Sequence, residues 1–506
     1  MSMKGHQRRW VAAVAAVVLA ALVVRLGGIG NPSVESRELH NALVARQLYH
    51  GDGDGLPEWK RTVLQELRDV AQPIEPPILD ALAAAGFKLV GGEELWIPRL
   101  LSSVLWVVGG LFLFQIASRL TSRSGAFIAL VAYLFWPYAV WLSRLYMPDG
   151  AMVACLLLAA LTVIRYWERP TRRRLLVAGG VASVAAVLKP GVALVFLVAL
   201  FVALARSQRA LRASIADGRL PLFAALVAAL PLGYYLYGTH IRNFLADETG
   251  GRVEPSLLST EAFWQGWWDM ISTVLVFPQP QTWLAVPILA LAFCGLLVVP
   301  RGLPRAVLAG LAAGYVVFGL AVPGFTSTHA YYSLPLIPLL ALALGALGGW
   351  VIRRARSAGR WAHAAAIAAV GLALGGAVYK GHAVLDVEPP NRAIADYRAI
   401  GEITGHTANA IVVDLRLRSP ISYWGWMVAR YWYPPTPAED LPTEGDPFPS
   451  WIDARKVDYL VVLDLRELDT EPRLRSLAQS VPVVARTARY AVFDLRGGRA
   501  HRWVEG

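Results

Sequence analysis

Gly125-Ala126-Phe127-Ile128-Ala129-Leu130-Val131-Ala132-Tyr133-Leu134-Phe135-Trp136-Pro137-Tyr138-Ala139-Val140-Trp141-Leu142 is followed by Ser143-Arg144-Leu145-Tyr146-Met147-Pro148-Asp149 and then by a second apolar run over 150–166. The first run carries no charge over its whole length. A helix needs about 20 apolar residues to cross the hydrocarbon core of a bilayer. These residues therefore predict two membrane-spanning helices joined by a very short loop. That loop holds an arginine and an aspartate at the membrane boundary, where charge is costly unless it is used.

Further segments of this kind lie on both sides. With these two they make eleven, near 10–28, 97–117, 125–142, 150–166, 175–188, 191–206, 219–238, 283–299, 304–322, 333–352 and 361–379. The composition agrees. Of 506 residues, 56% are hydrophobic and 17% charged, against about 25% charge in soluble domains, and the mean hydropathy is +0.46. This excludes a cytosolic enzyme, a disordered chain and a fibrous one. Lys4, Arg8 and Arg9 precede the first apolar run as they would in a signal peptide. The run continues through Val23-Val24 without a small-x-small cleavage site before Gly27, which predicts a retained helix. The two cysteines, Cys155 and Cys294, both fall inside apolar runs, so neither a disulfide framework nor a cysteine metal site is available.

The net charge of +12 invites a nucleic-acid reading, but the basic residues are distributed as in a polytopic membrane protein. With the N-terminus in the cytoplasm, twenty Lys and Arg fall on that side: the three N-terminal charges, Arg119 and Arg123, the cluster 165–174, the cluster 206–219, Arg301 and Arg305, and the cluster 353–360. The short outward loops hold four, Arg144, Lys189, Arg242 and Arg252. Positive charge retained on the cytoplasmic side sets this orientation, and eleven crossings then put the C-terminus outside the cytoplasm. The expected domains are a transmembrane part over 1–380 and a soluble extracytoplasmic α/β domain over 381–506. Within the first, residues 29–96 form a long outward loop, helical around 36–49 and 57–71 with the turn Gly51-Asp52-Gly53-Asp54-Gly55 between. A second outward loop, 239–282, carries Trp264, Trp267 and Trp268 at amphipathic spacing, as an interfacial segment would. In the terminal domain, strands are expected at 410–414, 459–464, 482–485 and 490–494, with helices at 391–404 and 470–479.

Five places hold ionisable or polar groups at the boundary. Glu35-Ser36-Arg37-Glu38 opens the first loop, where a carboxylate can serve as a general base or simply cap a helix. Glu75 stands before Pro76-Pro77, held rigidly or forming a corner. Arg144 can bind a phosphate through its planar fork or pair with Asp149, itself a candidate second acid. Lys189-Pro190 sits at a hairpin between apolar helices, where a cation meets an anion such as lipid phosphate or snorkels to the headgroups. His329 and Tyr332, in Thr326-Ser327-Thr328-His329-Ala330-Tyr331-Tyr332, can donate to a phosphate or sugar. Walker A, HExxH and GxSxG motifs are missing, so nothing points to nucleotide hydrolysis or a nicotinamide cofactor. Gly345 to Gly349 lie within a helical run and predict close packing.

In this order the motifs resemble the GT-C class of membrane glycosyltransferases, close to the protein O-mannosyltransferase and lipid A aminoarabinose transferase group. The features are an outward acid after the first helix, Pro-Pro in a long first loop, Ile97-Pro98-Arg99-Leu100-Leu101-Ser102-Ser103, Ser-Arg…Pro-Asp, Lys-Pro and His-x-Tyr-Tyr. The resemblance spans about 30–380. It implies inverting transfer of a hexosyl or pentosyl group from a polyprenyl-phosphate-linked donor to a glycan, lipid or protein acceptor on the extracytoplasmic face of the plasma membrane. Membrane lipids are the other partners, nucleic acid is not one, and no cofactor is required, although a carboxylate-bound divalent ion is compatible. The family's first loop carries Asp-Glu; counting back from Ala45-Arg46 puts Arg37-Glu38 there, with Glu35 the alternative three residues earlier. The resemblance makes Glu38, Glu35 and Asp149 the candidate catalytic acids and Arg144, Lys189, His329, Tyr332, Arg99 and Glu75 the candidate donor-binding residues. Two other readings compete: a polyprenyl-glycan transporter or flippase, which would place charge at the bilayer midplane, and a non-catalytic assembly scaffold.

Overall fold

The computed structural model describes residues 3–241, 254–278, 281–385, 390–413, 418–431, 457–470 and 472–496. Arg242, Arg252 and Asp414, which entered the expectations above, lie outside the described residues. The chain divides into two compact units. One comprises 1–29, 74–76 and 99–387, the other 30–73, 77–98 and 388–506. Apart from 29 and 74–76, the first loop thus groups with the C-terminal segment rather than with the apolar helices it connects.

The first unit holds the apolar helices α1 (Met3–Leu26), α5 (Trp96–Leu120, from Arg99 on), α6 (Arg123–Phe135), α7 (Pro137–Leu142), α8 (Pro148–Glu168), α9 (Arg172–Leu188) and α10 (Pro190–Ser207), and the helix Arg219–Leu236. Helices Glu261–Leu275, Thr282–Val298, Leu303–Ala321, Leu336–Ala358 and Arg360–Ala383 follow. Among the described residues, seven helices are long and apolar enough to cross a membrane. Three shorter apolar helices, Arg123–Phe135, Gly191–Ser207 and Thr282–Val298, fall in expected segments. The remaining expected segment is occupied by α9, which opens on three arginines.

The run expected as one helix over 125–142 is two. Proline at 137 has no N–H to donate and forces the residue before it out of the helical region. Trp136 accordingly adopts φ −59°, ψ 124°, ending α6 and starting α7. The orphaned carbonyl of Leu134 accepts from an Arg25 Nη at 2.8 Å, and the Trp136 indole donates to the carbonyl of Val274 at 2.8 Å. Elsewhere small residues let backbones meet, as membrane helices favour. A Cβ built on Gly345 would lie 2.5 Å from the carbonyl oxygen of Gly125. The glycines read from the sequence as packing residues have that role.

The second unit contains α2 (Ser36–His50), α3 (Glu58–Val70), α4 (Ile78–Val90) and a five-stranded sheet. Its strands are β1 (Ala410–Val413), β2 (Ala429–Tyr431), β3 (Tyr459–Val462), β4 (Val483–Arg486) and β5 (Ala491–Asp494), ordered β2-β1-β3-β5-β4. β1 runs parallel to β2 and β3, with Val412 opposite Val461, whereas β5 is antiparallel to β3 and β4. Side chains alternate across a strand, so each face has its own core. Val412, Val461 and Val492 pack with Tyr397 and Ile400 of helix Asn391–Ile403. Ile411, Leu460 and Phe493 pack with Leu474 and Leu477 of helix Pro472–Ser480. Burial on both faces explains why β1 and β3 read as unbroken apolar runs. The three-residue β2 and the helix α4 were not anticipated.

Candidate functional site

In the first unit, two proline-started helices present opposite charges to each other. Met147 is extended and Pro148 takes the first helical position of α8, placing Asp149 in the first turn, where the helix dipole favours an anion. Lys189 is the single residue between α9 and α10, its backbone extended at φ −157°, ψ 88° because Pro190 follows. The Lys189 ammonium donates to Asp149 Oδ1, and the side chains are 6% and 1% exposed. Such a pair must be closely matched to offset its desolvation. Two aromatic faces add to it. Lys189 Nζ lies 4.3 Å from the ring centroids of both Tyr331 and Tyr332, which stand on the 3-10 turn Ala330–Ser333. His329, just before the turn, has Nδ1 at 2.7 Å from Thr328 Oγ1 and its ring 5.7 Å from Phe325.

Lys189, Tyr332, Tyr235 and Glu75 are the polar side chains of a cavity of about 420 Å³ whose other walls are apolar, including Leu194, Leu232 and Phe318. A cation held by two rings in the wall of an apolar cavity is suited to an anionic head on an oily tail. The ammonium has three donors, so an arriving phosphate can bind while Asp149 keeps one.

The arginines read as donor ligands serve the end of α1. Arg144 Nε donates to the carbonyl of Arg25 at 3.1 Å, and an Arg144 Nη donates to that of Gly27. An Arg99 Nη donates to the carbonyl of Ile29 at 2.9 Å. Arg25 itself is fully buried, its Nε donating to Ser143 Oγ at 2.7 Å. The last carbonyls of a helix lack intrahelical partners, and these guanidinium groups serve that of Arg25 together with those of Gly27 and Ile29 in the turn that follows. The sequence reading passed over Arg25. A cation at the end of an apolar run, where it is expensive, was the available signal.

The second unit holds the first-loop acids. Glu35 is exposed at the start of α2 in extended backbone. Glu38, in the first turn, is fully buried. Two turns on, Arg46 is 2% exposed; its Nε donates to Glu93 at 2.8 Å and an Nη to the carbonyl of Tyr423 at 3.0 Å. Its guanidinium lies 4.2 Å and 3.9 Å from the ring centroids of Tyr423 and Trp426. His50 Nε2 approaches the other Glu93 oxygen at 2.9 Å. Burial pushes the Glu93 carboxyl up, but the charge of Arg46 and hydrogen bonds from His50 and Arg46 outweigh it, so the group sits below its ordinary value. Burial raises the Tyr423 hydroxyl well above its own. Ala45-Arg46, a counting mark in the sequence, is thus the ionic centre of this unit. Among the described residues, no three His, Cys, Asp or Glu side chains gather as metal ligands would.

A family model described as dolichyl-phosphate-mannose-protein mannosyltransferase matches residues 74–235, under half of the chain. No curated protein sequence matches. Among solved structures, the chain is similar to ArnT from Cupriavidus metallidurans bound to undecaprenyl phosphate, with TM-score 0.59 and 14% identity over 97% of this chain and 98% of that one. It is also similar to the oligosaccharyltransferase of Archaeoglobus fulgidus, with TM-score 0.58 and 12% identity over 89% of this chain and 69% of that one. At such identities the likeness is one of fold. The motif resemblance to the GT-C class of membrane glycosyltransferases therefore stands, joined by a matching fold and a family model over the segment that carries Glu75, Arg99, Arg144, Asp149 and Lys189.

Proposed function

We propose that the protein is an inverting glycosyltransferase that moves a hexosyl or pentosyl group from a polyprenyl-phosphate donor to an acceptor on the extracytoplasmic face of the plasma membrane. One observation carries this reading: Lys189, paired with Asp149 and faced by Tyr331 and Tyr332, stands at an apolar cavity of about 420 Å³. In the proposed reaction the acceptor oxygen attacks the anomeric carbon as the bond from that carbon to the phosphate oxygen breaks. The electron pair stays on the departing polyprenyl phosphate, and Lys189 stabilises its growing charge. The acceptor proton passes to a carboxylate, for which Glu38, Glu35 and Asp149 are the candidates. Tyr332, His329, Glu75, Arg99 and Arg144 complete the proposed donor site, the two arginines through the backbone they hold. The N-terminus lies in the cytoplasm, eleven helices cross, and residues 381–506 lie outside. What supports the orientation is the arginine bias of the loops. No cofactor is needed, because the donor already carries its leaving group.

The test is transfer by the purified full chain in nanodiscs, offered a panel of radiolabelled polyprenyl-phosphate sugars. Wild type is compared with Glu38→Gln, Glu35→Gln and Asp149→Asn. Turnover of one donor, lost in at least one variant, is expected. Donor binding without turnover across the panel would overturn the reading.

A further inference from the structure

Away from the Lys189 cavity, α1 and α5 enclose a groove of about 610 Å³ whose polarity is graded along its length. Val11, Val14 and Val18 of α1 face Leu111 and Phe114 of α5 across it. From Val11 to Val18 the helix rises about 10 Å, roughly a third of the hydrocarbon core. At the other end stand Trp10, Ser118 and the exposed Arg123. The Trp10 ring is fixed edge-on against Phe127 at 5.9 Å, the amphipathic anchoring indoles adopt at an interface. Arg8 and Arg9 are exposed beside it, and no acidic residue lines the groove among the described residues. Among those residues Arg123 is thus the one charged group in the groove's lining, and α6 begins there with its dipole adding to that positive charge.

We propose that this groove is a binding site for one anionic phospholipid of the surrounding leaflet, its phosphate on Arg123 and one acyl chain along Val11 to Val18. The graded lining argues for such an occupant: one end offers cations, an indole and a hydroxyl, and the rest only aliphatic and phenyl surface. A second copy fits less well. Residues Met3–Leu26 contain no carboxylate, so apposed α1 helices would bring Arg8 and Arg9 against their own copies.

Native mass spectrometry of the full chain in detergent tests this, with phosphatidylglycerol and phosphatidylcholine as probes and Arg123→Gln and Ala15→Trp as variants. Ala15 lines the groove from an exposed position, so tryptophan there fills it. Wild type is expected to retain one phosphatidylglycerol in preference to phosphatidylcholine. Arg123→Gln should weaken that retention about five-fold, the worth of one arginine at an anionic surface, and Ala15→Trp should abolish retention of both lipids. Equal retention of the two lipids by wild type, or unchanged retention in Arg123→Gln, overturns the proposal. A wild-type dimer dispersed by Ala15→Trp overturns it too, in favour of a second copy. If Ala15→Trp does not fold, Arg123→Gln, altered at an exposed position, decides alone.

Discussion

Replacing Lys189 with methionine removes the charge and keeps the unbranched stem. Asp149, 1% exposed, then loses the ammonium that pairs with its Oδ1. Breaking a buried ion pair by deleting one partner costs about 3–5 kcal/mol, because the desolvation of the survivor is no longer offset. Against a total stability of about 5–15 kcal/mol, that is a large fraction. Asp149→Asn leaves the ammonium similarly stranded, softened by the ring faces. The double variant Asp149→Asn/Lys189→Met removes both charges together and should lie within about 1 kcal/mol of wild type, since an uncharged buried pair is often no worse. Unfolding in mixed dodecyl maltoside and dodecyl sulfate micelles, followed by tryptophan fluorescence, gives the four free energies of the cycle. Transfer should be lost in all three variants, separating the pair's chemical role from its structural one. If Lys189→Met costs less than about 1 kcal/mol and the two single costs simply add, the pair is not the coupled buried unit argued above.

Other expectations follow from single contacts. Tyr332→Leu should lose about 1–2 kcal/mol of stability in the same micelle assay by removing one desolvated ring from Lys189, while Tyr332→Phe, which keeps the ring, should not. Gly345→Ala puts a methyl 2.5 Å from a carbonyl oxygen of the facing helix, where only backbone movement makes room; a loss of at least about 1–3 kcal/mol is expected on unfolding. Glu93 titrates below its ordinary value when folded, so its stabilising effect is full above the unfolded value and lost as pH falls through the folded one. The stability gap between wild type and Glu93→Gln should thus be steady near neutrality and close on acidification below about pH 4.5. Urea melts at several pH values measure it, and a gap that widens on acidification would reverse the sign of the argument.

The membrane helices were legible because a bilayer demands long uncharged runs, and few other structures produce them. Positions 36–50 and 391–403 were legible for the ordinary reason of helical apolar spacing. The break at Trp136-Pro137 was visible as a proline, but the uncharged run around it hid the boundary. β2 is only three residues long, too short for an alternation to show. By contrast α4 spans 13 residues, more than three helical turns, and was passed over because the prolines before it and the glycine pair after it read as loop. At the candidate site, sequence order identified Asp149 and Lys189 separately. Their pairing depends on how α8, α9 and α10 meet, which no local spacing encodes. For Arg144 the boundary position of the guanidinium was legible, but not its hydrogen bonds to backbone carbonyls 117 and 119 residues away, which depend on how α1 packs. Arg46 was noted only as a landmark, because its partners Glu93, Tyr423 and Trp426 come from distant parts of the chain.

The arginine clasp at the end of α1 also bears on the order in which the chain can be assembled. Arg25 and the carbonyls after it leave the ribosome before the groups that satisfy them, Ser143, Leu134, Arg99 and Arg144, which emerge roughly 70 to 120 residues later. Until then the leading helix holds an uncompensated cation and open carbonyls at its far end. Its seating is completed by later segments, so a nascent chain stalled before residue 144 should expose that end of the first helix to protease or to a thiol probe, and one released after it should not.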